Sequence, residues 1–370
     1  MNHPVPFVDL KSQYLSIKSE IDAAIANVIS ETAFIGGKYV KQFEDAFAAL
    51  YGVPHVVSCA NGTDSLYIIM KSLGIGPGDE VITVANSWIS SSETISQTGA
   101  KPVFVDIEPE YMSMNADLLE AAITPDTKAI IVVHLQGQMA DLPKIMEMCK
   151  RKNIHLIEDC AQSHFSEYNG VNAGLSGIAG SFSFYPGKNL GAYGDAGAII
   201  TSNKELADKM KMYANHGALV KHQHQIEGIN SRLDGIQAAV LGVKLNYIKK
   251  WTSQRRQVAA WYAEALADIE QIVLPKERPG TVHTWHLYVI RCGKREALMS
   301  YLKENGVETA IHYPTPLPLL PAYAYLGKKA EDFPVASGIM HEILSLPMYP
   351  ELQKEAVMHI ASLIRNFYQS

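Results

Sequence analysis

Lys188 follows the β-rich run Ser181-Phe182-Ser183-Phe184 and lies among Gly187, Gly191, Gly194 and Gly197. Glycines on both sides let a bulky ring approach the backbone. A lysine amine forms Schiff bases with carbonyls once desolvation or a cationic neighbour lowers its pKa. The same pattern also suits a solvated loop lysine. A second segment, Ile157-Glu158-Asp159-Cys160-Ala161-Gln162, puts Asp159 where a buried strand should end. Open α/β sheets bind ligands at that carboxyl edge. A carboxylate there can pair with a protonated pyridine nitrogen and keep the ring electron-withdrawing; an Asp so placed can equally cap a following helix. In the third segment, Cys59 to Ser65, Gly62 and Thr63 begin a helix whose free N–H groups and dipole suit a phosphate dianion. Ser183 can add a hydroxyl to the same phosphate. Small polar residues start most helices, so this segment alone says little. No G-x-x-x-x-G-K-[ST] is present, which excludes a nucleotide-triphosphate loop. Together the three segments offer an amine, a ring-nitrogen partner and a phosphate seat for one cofactor.

These side chains need a scaffold that brings distant segments to one edge. Short β-rich runs alternate with helical patterns from about residue 50 to 205: His55–Cys59, Val81–Val84, Val103–Asp106, Ala129–His134, His155–Glu158, Gly180–Phe184 and Gly197–Thr201. Amphipathic stretches such as Ser65–Leu73 and Pro143–Lys152 lie between them. The alternation predicts βαβ units and an α/β fold with a mostly parallel central sheet covered on both faces. Before it, Leu10–Leu50 reads as helix, turn at Gly36-Gly37, helix; after it, Leu233–Ala267 reads as one long helical stretch. The remainder, with Trp285–Arg291 as strand and Lys294–Asn305 and Glu351–Tyr368 as helices, predicts a smaller α+β domain interrupted by a Pro- and Tyr-rich loop, His312–Leu326. The expected division is a large domain over 1–250, including the N-terminal helical segment, and a small one over 251–370.

At 370 residues, 47% hydrophobic and 19% charged, the chain can bury a sizeable core. The net charge of -6 and the lack of a basic block exclude nucleic acid and membrane surfaces as main partners. Met1–Leu10 has no basic region followed by an apolar run, so no secretory signal is expected. The four cysteines form no C-x-x-C pair, which argues against a zinc site or a disulfide framework and fits a reduced cytoplasmic setting. The 13 histidines show no metal-binding spacing.

NGTDSL (61–66), VHLQGQMADL (133–142), IEDCAQSH (157–164), SFSFYPGKNLGAYGDAGAI (181–199), NHG (215–217), NSRLDGIQAA (230–239) and HLYVIR (286–291) occur in order. In these the chain resembles the nucleotide-sugar aminotransferases of the DegT/StrS type, a branch of the aspartate-aminotransferase-like enzymes, from Pro6 to about Leu363. The resemblance implies a fold-type I architecture, pyridoxal 5'-phosphate as cofactor and a homodimer with shared active sites. It implies Lys188 as the Schiff-base lysine and proton shuttle, Asp159 on the pyridine nitrogen, Gln162 near the phenolic oxygen, and Gly62, Thr63 and Ser183 on the phosphate. Asn230 would reach that phosphate from the partner subunit, and Trp88 would stack on the ring. Two positions depart from the family: Ala196 stands where glycine is frequent, and Gln136 where an aromatic is usual, which bears on substrate preference.

The implied reaction is a two-stage transamination. Glutamate would donate the amino group, and a nucleotide-linked keto sugar would accept it. The preferred acceptor is a dTDP-linked 6-deoxy keto hexose, aminated at carbon 3 or 4, although the family also holds UDP- and GDP-sugar enzymes. Tyr185, His312 and Tyr313 are candidate substrate contacts, and each can also be read as part of a packed surface loop. His164 and His286 are expected to be buried, hydrogen-bonded histidines. Rivals are a sugar dehydratase, in whose branch histidine replaces the lysine, a cysteine desulfurase, with Cys292 as its mild candidate, and a non-catalytic regulatory protein of the same fold.

Overall fold

The computed structural model describes residues 4–369; Met1–His3, at the head of the stretch read for a signal, and Ser370 lie outside it. Helices α1 (Leu10–Ser16), α2 (Lys18–Ser30) and α3 (Gly37–Tyr51) precede the first strand, β1 (His55–Cys59). Helices and strands then alternate: α4 (Gly62–Ser72), β2 (Glu80–Val84), α5 (Ser90–Thr98), β3 (Lys101–Val105), α6 (Leu119–Ala122), β4 (Thr127–Val133), α7 (Leu142–Lys152) and β5 (His155–Asp159). A short hairpin, β6 (Glu167–Tyr168) and β7 (Val171–Asn172), leads to β8 (Ala179–Ser183), β9 (Gly197–Thr201) and α8 (Lys204–Ala214). The remainder holds α9 (Gly235–Leu245), α10 (Ile248–Leu266), β10 (Ile272–Val273), β11 (Thr281–Val282), β12 (Tyr288–Cys292), α11 (Arg295–Glu304), α12 (Pro334–Ile339), β13 (Ile343–Leu346) and α13 (Lys354–Gln369).

The central sheet has the order β1-β9-β8-β5-β4-β2-β3. Strand β9 runs antiparallel to both neighbours and the other adjacent pairs are parallel. Its Val- and Ile-rich strands are buried on both faces, as parallel strands covered by helices must be. The two-residue period of β4 separates the cores: Ile130 and Val132 join Phe43 and Phe47, while Ala129 and Ile131 join Leu66 and Ile69. Because β1, β2, β4, β5 and β8 point the same way, the residues that follow each of them gather at one edge.

A second sheet, β10-β12-β13, packs with Tyr262, Leu298, Leu302, Ile360 and Ile364 in a core of its own. Helix α10 spans both parts of the molecule: Trp251 packs with Ile21 and Val240, whereas Val258 and Tyr262 sit in the second core. Residue 250 therefore lies within a helix and not in a linker. Near the N-terminus, Val5 bridges to Val307 and joins the second core.

Two local expectations give way to tertiary structure, and one small sheet has no counterpart among the expectations. The stretch Leu233–Ala267 is two helices, α9 and α10; at Asn246-Tyr247 the amides bond back to Val243 and Lys244, three residues away, and the axis turns. The strand expected over Trp285–Arg291 begins at Tyr288, because Thr284 and Leu287 donate their amides to Gly137 and Gln136 of the large sheet's edge. Strand β11 pairs with β6, more than a hundred residues earlier, in a small sheet whose two-residue strands leave no readable pattern.

Candidate active site

Lys188 closes a tight turn after β8, its amide donating to Tyr185 O at 2.8 Å. It is half-buried, and burial lowers its amine to about 8, against the attraction of Asp159. Asp159 ends β5 and is 6% exposed; burial raises its pKa, while the Ala161 amide (3.1 Å), Lys188 and His134 pull the other way. A turn follows β5, so Asp159 caps no helix. Amine and carboxylate thus attract each other at the sheet's carboxyl edge, where buried charges depend on one another.

The expected phosphate seat is equally compact. Asn61 caps α4, its side chain accepting the Asp64 amide at 2.7 Å, which leaves Gly62 and Thr63 with no carbonyl a turn earlier to bond. A Cβ on Gly62 would lie 2.5 Å from Ser183 Cβ, so only glycine lets the helix start touch the end of β8. Gly197 has the same role one strand over: a Cβ there would lie 2.4 Å from Asn61 O. The Thr63 hydroxyl pairs with Ser90 at 2.7 Å.

Gln162 is locked between its neighbours: Oε1 accepts the Gln136 amide at 2.7 Å and Nε2 donates to the Tyr313 hydroxyl at 3.1 Å. Tyr313 lies 5.7 Å from the indole of Trp88, which is 58% exposed, and 5.3 Å from His312. His312 meets Ser345 Oγ at 2.9 Å, stacks on Phe7, and is lowered by burial to about 4, so it stays a neutral imidazole. Tyr185 is exposed beside the Lys188 turn. Lys188, Asp159, Gln162, Trp88, His312 and Tyr313 thus form one connected surface, and Gly62 and Ser183 a contiguous seat. Asn230 stands apart from these contacts. It is exposed, while the next residue, Ser231, accepts the Ala60 amide and donates to Asp64 within the same chain.

Several groups at the site were not singled out from the sequence. Asn189 donates to Thr284 O, which turns its Oδ1 to His286 Nδ1 at 3.1 Å; that nitrogen must carry the proton. His286 is hydrogen-bonded as expected, but it braces the residue next to Lys188. His164 is fully buried between Phe182 and Phe184, as expected, and burial lowers it to about 3 against the pull of the Ser183 backbone, so its imidazole is neutral. Beneath Asp159, Glu158 accepts the amides of Gly174, Ser176 and Gly177 and the Nε2–H of His134, whose Nδ1 takes the Ala140 amide. With Cys160 these two make a His/Glu/Cys cluster, but the hydrogen bonds already use the atoms a metal would need. Cys292, the cysteine weighed for desulfurase chemistry, is buried in β12 and burial raises its thiol to about 11, which leaves it unreactive. Gln136, the family departure, adopts a positive φ of 63° and buries an Nε2 with no partner.

A depressed lysine amine, a buried carboxylate across from it, a donor-lined helix start and a glycine-cleared approach between them fit a phosphorylated aldehyde with a ring nitrogen. The DegT/DnrJ/EryC1/StrS aminotransferase family model matches residues 15–365. The chain is 45% identical to a protein of Geobacillus stearothermophilus named pleiotropic regulatory protein, over 99% of each chain. It is 40% identical to the dTDP-3-amino-3,4,6-trideoxy-alpha-D-glucose transaminase of Streptomyces venezuelae, over 98% of this chain and 96% of the relative. The crystal structure of S. venezuelae DesV in complex with a ketimine intermediate superposes with a TM-score of 0.97 at 39% identity, covering 100% of this chain and 99% of that one.

Proposed function

Since the chain belongs to the DegT/DnrJ/EryC1/StrS aminotransferase family and is a sugar aminotransferase that uses pyridoxal phosphate, we propose that it aminates a dTDP-linked 6-deoxy keto hexose at carbon 3 or 4 with glutamate as donor. The observation that carries the reading is the Lys188 amine, lowered to about 8 and within the attraction of the buried Asp159, on the loop that follows the Gly62–Ser183 contact. When bound, pyridoxal phosphate supplies an aldehyde that condenses with amines and a ring that draws electrons from the carbon being deprotonated. Lys188 would hold it, and the lowered amine would move the proton at the reacting carbon. Asp159 takes the ring nitrogen, Gln162 the phenolic oxygen, and the amides of Gly62 and Thr63 with the Ser183 hydroxyl take the phosphate. Trp88 covers one ring face, and Tyr185, His312 and Tyr313 meet the sugar.

The dTDP assignment is supported by the name of the S. venezuelae relative. The enzyme is read as a homodimer in which Asn230 completes the partner's phosphate site. Exposed Leu219, Val220 and Ile226 on the segment leading to Asn230 support a covered surface there. Among the described residues no helix is long and apolar enough to cross a membrane, and the four cysteines are unpaired, which supports a cytoplasmic setting. A regulatory role, suggested by the G. stearothermophilus name, would not need the lowered lysine, and a dehydratase would carry histidine in its place. The test is a panel of dTDP-, UDP- and GDP-linked keto sugars with glutamate and mass detection of the aminated product. Expected are turnover of the dTDP substrates and none by Lys188→Ala; turnover of UDP sugars alone overturns the dTDP assignment, and no turnover of any overturns the donor–acceptor reading.

A further inference from the structure

Lys244 lies on α9 and is 1% exposed, although it carries an amine. Its Nζ donates to Gly191 O at 2.7 Å and sits 4.3 Å from the centre of the Tyr193 ring. Gln237, seven residues earlier and so two turns away on the same face of α9, accepts the Tyr193 amide at 2.8 Å. Its Nε2 would lie 3.0 Å from a Cβ at Gly194. One helix face thus holds positions 191, 193 and 194, just after Lys188. The held segment is already tight. The Ala192 amide returns to Phe184 O at 2.8 Å, closing the loop around Lys188, and a Cβ on Gly191 would lie 2.3 Å from Pro186 O.

An ammonium has three donors, and here it finds one carbonyl and one ring face. Burial lowers it to about 8, with the attraction of Glu351 opposing. An unbranched apolar side chain of similar length would fill the space without that desolvation cost. It could not hold the Gly191 carbonyl.

We propose that Lys244 is a positioning residue for the loop that presents Lys188, with Gln237 as its second point of hold on the same helix face. The proposal rests on the reading of Lys188 as the cofactor lysine. Pulled by Lys244 and Gln237, the return strand of the loop keeps the Lys188 backbone at a fixed distance from Asp159.

The test uses the full-length protein with Lys244→Met and, separately, Gln237→Met. Lys188 reactivity is read in the cofactor-free protein by reductive methylation across pH, with mass spectrometry of the Lys188 peptide. The thermal midpoint, kcat and KM are measured alongside. Expected for Lys244→Met is an unchanged or higher thermal midpoint, a displaced Lys188 labelling profile, and kcat lower by roughly 10- to 100-fold with KM little changed, as for a reacting group misplaced by a fraction of an ångström to ~1 Å. Gln237→Met should move the profile in the same direction by less, and serves if Lys244→Met fails to fold. A wild-type labelling profile in a folded variant overturns the proposal, as does a kcat loss that only follows a loss of stability. Failure of the Lys188 reading is separate: it shows as retained turnover in Lys188→Ala.

Discussion

Gly62→Ala should strike the cofactor's phosphate and little else. The added methyl would sit 2.5 Å from Ser183 Cβ and 3.0 Å from Ser183 Cα. Carbon atoms rest at about 3.5–4.0 Å, so the start of α4 and the end of β8 must part by ~1 Å. A hydrogen bond of about 2.9 Å does not survive that displacement. Losing one bond to a charged oxygen costs about 1.5–3 kcal/mol, or roughly 10- to 150-fold in Kd. Helix propensity pushes the other way, since alanine for glycine stabilises a helix by up to ~1 kcal/mol; the fold should survive while affinity falls. Cofactor-free protein is titrated with pyridoxal phosphate and with pyridoxal, followed by visible absorbance. The expected result is weaker binding of the phosphorylated ligand with little change for pyridoxal. An unchanged ratio of the two affinities would refute a phosphate seat at Gly62 and Ser183.

Asp159→Asn removes the charge that raises the Lys188 amine, so the methylation midpoint of Lys188 should fall below that of the wild type; a rise would contradict the pairing. The folded-state pKa of Lys188 lies below its ordinary 10.5, so the unfolded chain binds the proton more tightly between about 8 and 10.5. Stability from this group therefore rises with pH through that window, and denaturant titrations of cofactor-free Lys188→Met should show a shallower rise than wild type. Glu158→Gln turns an amide donor toward some of the four donors that Glu158 accepts, which should cost roughly 2–3 kcal/mol in urea unfolding; an unchanged midpoint would show that the cluster under Asp159 does not brace the fold. Refolding Lys188→Ala with Asn230→Ala subunits should restore activity at about a quarter of the sites, through mixed dimers, if Asn230 acts across the interface. No recovery would assign Asn230 to its own chain's site or to none.

Much of the site is legible because its parts are local. The end of β5 at Asp159 and the start of α4 at Gly62 each follow from a few adjacent residues, and the strands expected there fall within two residues of those observed. The supports are different in kind. Lys244 and Gln237 hold backbone atoms of the loop after Lys188, and Thr284 and His286 hold the side chain of Asn189, all from segments far away in sequence; no spacing rule marks a lysine that will be buried under a carbonyl. Within α9, Lys244 reads as a solvated position near a helix C-terminus until the packing of the Gly191 loop is seen. His164 shows the same limit from the other side, since nothing adjacent in sequence announces that it will lie fully buried between Phe182 and Phe184. The break between α9 and α10 carries no proline or glycine to announce it.

Borohydride reduction of the holoprotein, then proteolysis and mass spectrometry, reads directly which nitrogen is bonded to the cofactor. A reduced pyridoxyl group on the peptide carrying Lys188, with none on Lys244 or any other lysine, is the expected result. Attachment elsewhere, or a coloured holoprotein that releases all its cofactor after reduction, would contradict the assignment of Lys188.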